Sequence, residues 1–173
     1  MTNPTQRFID KVVIVTGSGG GIGTAIAQRF ADEGARVIVT DIVADNAQIT
    51  TDQIVASGGN AICIPADISQ GDECRSLIQD VIDTYGRIDV LINNAGINRR
   101  GPLMELTEDD WHTTFAVNVD SMFYLCQAVI PHMITQGGGA IIAVASDAAK
   151  TATPGETLVG AAMAAIVMFC RAA

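Results

Sequence analysis

The chain has 173 residues, a length typical of one domain that buries about two-thirds of its unfolded surface. Hydrophobic residues make up 49% of the sequence, which predicts a sizeable core and excludes a disordered protein. The formal net charge of −9 argues against nucleic acid or an anionic membrane as the main partner, because both require basic surfaces. The longest apolar stretch, 158–170, is too short to cross a bilayer, so we expect no membrane partner.

The first residues do not follow the charged, apolar and small-residue order of a secretory signal. The cysteines have no spacing typical of metal ligands, so we expect no metal site. Cys63, Cys126 and Cys170 lie in apolar segments, which predicts buried thiols of a reducing compartment. Together these features predict a cytoplasmic protein.

An apolar, β-branched run at 11–15 precedes a glycine-dense turn, Thr16 to Gly23, and then a helix-like stretch at 24–33. This order suits a nucleotide pyrophosphate. Glycines let the backbone approach the phosphates, and the start of a helix supplies free N–H groups and a favourable dipole. The alternative is a glycine-rich turn that binds nothing, since glycine alone is a weak signal.

Strand-like and helix-like segments alternate along the chain, which predicts parallel strands joined by crossover helices. Strands are predicted at 11–15, 35–40, 60–65, 88–92 and 140–145. Helices are predicted at 24–33, 45–56, 71–84, from 107 onward and at 156–171. Thr107 and the acidic residues after it resemble a capping box, and we expect Pro131 to kink or end the helix that starts there.

Two motifs are more specific than the alternation. The glycine turn reads T-G-x-x-x-G-x-G from Thr16 to Gly23, and N-N-A-G follows the fourth strand at 93–96. With both motifs the sequence resembles the short-chain dehydrogenase/reductase family. The resemblance implies an α/β fold, a Rossmann-like doubly wound parallel sheet, in a single domain at 1–173. Family members continue with further strands and helices, so we expect this fold to be truncated after the helix that follows the fifth strand.

The resemblance implies NAD as the cofactor, with its pyrophosphate on the glycine turn. A carboxylate at Asp41 would accept hydrogen bonds from the adenosine ribose and repel a 2′-phosphate, which favours NAD over NADP. For Asp41 the alternative is a helix-capping carboxylate, and for Asp67 it is a turn aspartate. The implied cofactor contacts are Gly17, Ser18, Gly21, Ile22, Gly23, Asp41, Ile42, Asp67, Ile68, Asn94, Ala95 and Gly96.

The family moves a hydride between nicotinamide and an alcohol or ketone with the help of Asn, Ser, Tyr and Lys. The resemblance assigns the Asn to Asn118 and the Ser to Ser146. The family's Y-x-x-x-K is expected on the following helix, but that register contains Val159 and Met163. Val cannot exchange a proton and Met has no charge that would lower a tyrosine pKa. The last tyrosine of the sequence is Tyr124, so no other register supplies the motif.

We therefore expect a pseudoenzyme subunit, in a homo- or hetero-oligomer with a paralogue that acts on a small alcohol or ketone. Heteromeric dehydrogenases with one active and one inactive subunit type are similar. An alternative is an active NAD-dependent alcohol dehydrogenase or ketone reductase that uses Ser146 and Asn118 with a relocated acid/base, such as Asp147 or Lys150. A third possibility is a truncated fragment without function. The basic segment Asn98-Arg99-Arg100 is either a contact for a substrate carboxylate or phosphate or a solvated loop.

Overall fold

The computed structural model describes residues 6–172. The strands are Val12–Thr16 (β1), Arg36–Thr40 (β2), Asn60–Cys63 (β3), Val90–Asn93 (β4) and Ala140–Ala143 (β5). The helices are Gly21–Asp32 (α1), Ala44–Ala56 (α2), Gly71–Tyr85 (α3), Glu108–Phe115 (α4), Ser121–Thr135 (α5) and Thr157–Ala172 (α6). Strands and helices alternate as predicted, apart from the α4–α5 pair.

The strands form one parallel sheet in the order β3-β2-β1-β4-β5. The chain leaves β1 toward one edge through β2 and β3, and then returns to pair β4 with the other side of β1. This reversal between β1 and β4 defines the switch point of a doubly wound sheet. The predicted Rossmann-like α/β fold is confirmed.

The core has two layers because side chains alternate between the faces of each strand. Val12 and Ile14 of β1 pack with α3 and α5 on one face of the sheet. Val13 and Val15 pack with α1 and α2 on the other face. All five residues of β1 are buried, as expected for a central parallel strand with helices on both sides.

The helical region after β4 differs from the predicted single helix. The capping box at its start is present, since the Thr107 hydroxyl accepts from the Asp110 amide at 3.1 Å. A π-helical segment, Ala116–Asp120, separates α4 from α5. Of the two alternatives predicted for Pro131, a kink or the end of the helix, the second is wrong, because α5 continues through Pro131 to Thr135.

Several strands are shorter than predicted because strand structure ends where backbone pairing ends. β5 pairs only with β4 in the described residues, and its last partner pair is Asn93 with Ala143. β4 begins at Val90 instead of Ile88, since the amide of Ile88 donates to the side chain of Gln136 at 3.2 Å. Apolar composition alone does not mark these limits.

The expectation of buried thiols is wrong for Cys170, which is exposed on α6, and Cys63 is only half-buried. Cys126 is buried as predicted, and Cys74 is buried too. Burial raises the pKa of the Cys126 thiol to about 11. Position on a helix or at a sheet edge, which composition does not specify, decides these exposures.

An ionic cluster lies at the amino-terminal edge of the sheet, opposite the ends of the strands that carry the sequence motifs. Burial opposes ionisation of Asp89, but hydrogen bonds from Arg87, the Val12 amide and Lys11 outweigh it and lower the pKa of Asp89 to about 2. The Asp89 side chain is only 10% exposed. The cluster therefore stabilises the fold at neutral pH and takes no part in the motif region.

Among residues 6–172, no helix combines the length and apolar content needed to span a membrane. Within the same range, no three side chains of His, Cys, Asp or Glu converge as a metal site.

Candidate nucleotide site

A cavity of about 500 Å³ opens at the carboxyl ends of β1, β2 and β4, at the switch point of the sheet. Open α/β sheets bind their ligands at this position. The lining residues are Gly17, Gly19, Gly20, Ile22, Gly23, Thr40, Asp41, Ile42, Asn46, Ala66, Asp67, Ile68, Asn94, Ala95, Gly96, Ile97 and Val117. Ten of the twelve cofactor contacts implied by the sequence are in this wall, and Ser18 and Gly21 are not.

Gly17 and Gly23 of the turn are required by close contacts with neighbouring segments. A Cβ on Gly23 would lie 2.1 Å from the carbonyl oxygen of Gly17 and 2.7 Å from Nδ2 of Asn94. A Cβ on Gly17, whose φ is +61°, would lie 2.7 Å from Cα of Ala95. Any side chain at these positions would therefore displace the turn from the sheet.

The turn leads directly into α1, which starts at Gly21. The Thr24 amide donates to the carbonyl of Gly20 at 3.3 Å, so the amides before it precede the helical hydrogen-bond ladder. Gly20, Ile22 and Gly23 line the cavity, so the start of α1 is a suitable site for a pyrophosphate.

Ser18 connects the turn to β2 and does not line the cavity. Its hydroxyl donates to the carbonyl of Val15 at 2.7 Å and accepts from the amide of Thr40 at 3.0 Å. Its own amide donates to the carbonyl of Thr40 at 3.1 Å. The described geometry therefore gives Ser18 a positioning role.

Asn94 fixes the turn to the end of β4. Its Nδ2 donates to the carbonyls of Thr16 at 2.9 Å and Gly17 at 3.1 Å. The amides of Asn94 and Ala95 both donate to the Thr16 hydroxyl at 3.0 Å. The T-G and N-N-A-G motifs thus form one hydrogen-bonded unit across the switch point.

Asp41 and Asp67 follow the ends of β2 and β3 and line the same cavity. Asp41 accepts from the Gly19 amide at 3.0 Å through Oδ2 and from the Val43 amide at 3.1 Å through Oδ1. Asp67 accepts from both the amide and the hydroxyl of Ser69, at 3.0 and 2.7 Å. Asp67 is therefore a turn aspartate as well as a cavity residue.

Apolar side chains of the cavity come from the first turn of α1 and from the loops after β2 and β3. Ile22 and Ile42 are 66% and 69% exposed at the cavity, whereas Ile68 is buried. Apolar side chains in this position are suited to contact with an adenine ring. Asn46 also lines the cavity and was not predicted, because nothing in the sequence marks a residue in the first turn of α2.

Asn118 is fully buried in the π-helical segment. Its Oδ1 accepts from the Ile97 amide and its Nδ2 donates to the Ile97 carbonyl, both at 2.9 Å. A Cβ on Gly96 would lie 2.8 Å from Oδ1 of Asn118, so the glycine permits this approach. Asn118 therefore holds the loop after β4 against the helical layer.

Ser146 lies just beyond β5 and starts a 3₁₀ turn. Its hydroxyl donates to Oδ1 of Asp147 at 3.0 Å and accepts from the amide of Ala148 at 3.2 Å. The arrangement caps the turn and places a carboxylate beside the hydroxyl.

Val159 and Met163 lie one turn apart on α6, and both are buried. They pack with Ile166 against Val119 and Ala143, where β5 ends. Cε of Met163 is 4.0 Å from the position that a Cβ on Gly96 would occupy. The two positions at which the family motif is expected therefore belong to an apolar cluster next to the cavity.

The basic residues after β4 are paired within the chain. Arg99 lies 3.7 Å from Asp110, and Arg100 forms an ion pair with the buried Glu156. The Gly101 amide donates to the carbonyl of Gly155 at 3.0 Å. These contacts connect the loop after β4 to α4 and to the segment just before α6.

A doubly wound parallel sheet, a glycine turn at its switch point and a carboxylate at the end of β2 define a Rossmann-like nucleotide-binding protein. Residues 11–173 match the family model described as short chain dehydrogenase. The chain therefore belongs to the short-chain dehydrogenase/reductase family.

Similar proteins include a reductase and a dehydrogenase subunit. The chain is 37% identical to a 3-oxoacyl-[acyl-carrier-protein] reductase of Chlamydia pneumoniae, over 95% of this chain and 66% of that protein. It is 38% identical to a (2S)-[(R)-hydroxy(phenyl)methyl]succinyl-CoA dehydrogenase subunit of Thauera aromatica, over 94% of this chain and 65% of that protein. The chain thus spans about two thirds of the length of these curated relatives.

A solved structure with bound ligands has the same fold. It is a 7α-hydroxysteroid dehydrogenase in complex with NADH and 7-oxo glycochenodeoxycholic acid. The match has a TM-score of 0.91 and 36% identity, and covers 98% of this chain and 66% of that one. Nucleotide cofactor binding, of NAD or NADP, is therefore a property of the family.

Proposed function

We propose that this chain binds NAD, is impaired in alcohol and ketone chemistry of its own, and serves as a subunit beside an active dehydrogenase. The observation that carries the proposal is the buried pair Val159 and Met163 beside the cavity. When bound, a nicotinamide dinucleotide supplies a hydride donor or acceptor, but proton transfer at the substrate oxygen depends on the protein.

Neither side chain of this pair can take part in that proton transfer. A valine has no ionisable group, and the methionine thioether is only a weak hydrogen-bond acceptor. Loss of a positioned general acid typically lowers a rate by about 10²–10⁴-fold. Loss of the group that tunes the acid adds less than a second full penalty, because the two act as a unit.

The proposal of NAD over NADP depends on Asp41. Its carboxylate lies in the cavity wall and keeps unused lone pairs for ribose hydroxyls. A 2′-phosphate at the same place would be repelled, and the turn from Thr16 to Gly23 contains no Lys or Arg that would offset the repulsion.

The proposal of a partner subunit is supported by exposed apolar side chains in one part of the chain. Leu103 and Met104 before α4 are 62% and 93% exposed, Trp111 on α4 is 44% exposed and Phe123 on α5 is 46% exposed. Such side chains are typical of interfaces between protein subunits. The name of the Thauera relative also describes a subunit.

We further propose a cytoplasmic location, because free cysteines suit a reducing compartment.

The test is to restore the family pair in the double variant Val159→Tyr, Met163→Lys. We expect no turnover of NAD or NADH by the unaltered chain over a panel of alcohols and ketones, and measurable turnover by the double variant. Val159→Phe with Met163→Leu is the matched control, since it adds similar volume without a proton donor. Robust turnover by the unaltered, homogeneous chain would overturn the proposal of impaired catalysis.

A second candidate is an active oxidoreductase with a relocated acid/base. The contact of 3.0 Å between the Ser146 hydroxyl and Asp147 favours it, because a carboxylate in this position could accept the hydroxyl proton. The named relatives are reductases and dehydrogenases, which is consistent with this reaction class. Under this candidate the unaltered chain is active, and Asp147→Asn abolishes the activity.

A further inference from the structure

Asn46 lies in the wall of the nucleotide cavity, and the proposed function gives it no role. It is the third residue of α2, and it is exposed to solvent. Asp41 precedes it by five positions and lines the same cavity, so both residues belong to the segment that leaves β2. The two side chains are therefore candidates to bind the same part of a ligand.

The glycine turn shows how close these two side chains are. A Cβ on Gly19 would lie 2.8 Å from Cβ of Asn46 and 2.9 Å from Oδ2 of Asp41. Cβ of Asn46 and Oδ2 of Asp41 are therefore no more than about 6 Å apart. A hydroxyl group that contacts the Asp41 carboxylate is thus within hydrogen-bonding reach of the Asn46 amide.

The fold fixes the position of both residues before a ligand arrives. The Asp41 carboxylate accepts from two backbone amides, at 3.0 and 3.1 Å. Ala47, the residue after Asn46, is fully buried in the core layer beneath α2. One turn further along α2, the Thr50 hydroxyl lies 3.2 Å from that of Thr24 on α1. Side chains on elements held in this way lose little freedom when they bind.

The two side chains have complementary hydrogen-bonding chemistry. An ionised carboxylate only accepts, whereas the amide of asparagine also has two N–H donors. A ribose hydroxyl both donates and accepts, so it can donate to Asp41 and accept from Nδ2 of Asn46. A 2′-phosphate lacks that hydroxyl, and its charge is repelled by Asp41. Among residues 6–172, the cavity wall has no Lys or Arg that would bind the phosphate instead.

We propose that Asn46 is a second ribose-binding residue of the nucleotide site, in addition to Asp41. Its side-chain amide donates to a hydroxyl of the adenosine ribose, and that hydroxyl donates to Asp41. The amide thereby adds affinity for the unphosphorylated ribose that the carboxylate alone does not supply. This inference rests on the nucleotide site of the proposed function.

The experiment measures Kd by isothermal titration calorimetry for NAD⁺ and for its 2′-deoxyadenosine and 3′-deoxyadenosine analogues. It compares the unaltered 173-residue chain with Asn46→Ala. We expect the variant to bind NAD⁺ about fivefold more weakly, which corresponds to one lost hydrogen bond. The loss should fall below about twofold with the analogue that lacks the contacted hydroxyl. No loss with NAD⁺, or a loss that persists with both analogues, would overturn the inference.

Gln48→Ala is the matched control for this comparison. Gln48 is an exposed amide on the same helix, but it does not line the cavity. We expect its Kd values for all three ligands to stay within about twofold of those of the unaltered chain. A general disturbance of α2 would instead weaken all three ligands together in both variants, and that result would also contradict the inference.

A cation at the same position tests the location of Asn46 in the opposite direction. Arginine forms strong, charge-assisted hydrogen bonds with phosphate groups. We therefore expect Asn46→Arg to raise the affinity for NADP⁺ relative to NAD⁺ by at least about tenfold. Gln48→Arg adds the same charge outside the cavity and should leave the ratio of the two Kd values within about twofold. An equal change in both arginine variants would show that position 46 does not face the ribose.

The outcomes separate this inference from the proposed function. If the unaltered chain binds no NAD⁺, the nucleotide site of the proposed function fails and this inference fails with it. If NAD⁺ binds and Asn46→Ala has no effect, only the inference fails and a nucleotide-binding subunit remains the conclusion. Circular dichroism of each variant checks that the fold is retained.

Discussion

Gly23→Ala tests the packing that holds the nucleotide turn in place. The added Cβ would lie 2.1 Å from the carbonyl oxygen of Gly17, whereas ordinary contact begins at 3.4 Å. It would also lie 2.7 Å from Nδ2 of Asn94, the atom that donates to Thr16 and Gly17. The turn must therefore move by more than an ångström, and the two Asn94 hydrogen bonds are strained or lost.

The magnitude follows from these contacts. Overpacking at a rigid backbone site costs about 1–3 kcal/mol, and each lost hydrogen bond adds about 1 kcal/mol. We expect a decrease of about 3 kcal/mol in the free energy of unfolding, measured by urea denaturation of the full chain. NAD affinity should fall by at least about tenfold in the fraction that remains folded.

The control for this prediction is Gly20→Ala in the same turn. A Cβ on Gly20 has no atom within 4 Å, and its φ of −168° is an extended conformation open to any residue. We expect its free energy of unfolding to stay within about 0.5 kcal/mol of the unaltered chain. If Gly23→Ala were as stable as Gly20→Ala, the argument from close backbone approach would be refuted.

Three further predictions follow from individual side chains. Asn118→Ala leaves the amide and carbonyl of Ile97 without partners, and should lower the free energy of unfolding by about 2–4 kcal/mol in urea titrations. Asp41→Ala should narrow the difference between the Kd values of NAD⁺ and NADP⁺ by about tenfold, and an unchanged ratio would show that Asp41 does not select the nucleotide. Asp89 has its pKa lowered from 3.8 to about 2, so its stabilisation is complete above pH 3.8 and is lost as the pH falls through 2. The stability difference between the unaltered chain and Asp89→Asn should therefore shrink between pH 5 and pH 2.5, and a constant difference would contradict it.

Much of the fold could be predicted from the sequence because periodicity and glycine signals are local. The apolar run of β1, the turn to Gly23 and the capping box at Thr107 are each specified by adjacent residues. The limits of β5 and the continuation of α5 through Pro131 depend on pairing and packing with distant segments. Local patterns do not contain that information.

The same distinction applies to the site. The motif residues Gly17 and Asn94 were predicted, and their contacts explain why these residue types are needed. The cavity residue Asn46 was missed, because only the fold brings the first turn of α2 beside the glycine turn. The structural role of Ser18 was missed for a related reason, since its partner Thr40 is 22 positions away.

The two sides of the site differ in how strongly the stability of the fold depends on their residues. Hydrogen bonds of Thr16, Ser18 and Asn94 hold β1, β2 and β4 together at the switch point, so changing these residues would weaken the sheet there. Val159 and Met163 pack well as apolar residues on α6, so a proton-transfer pair at these positions is not needed for stability. The fold therefore depends more strongly on the hydrogen-bonding residues of the nucleotide cavity than on any ionisable group at these two positions of α6.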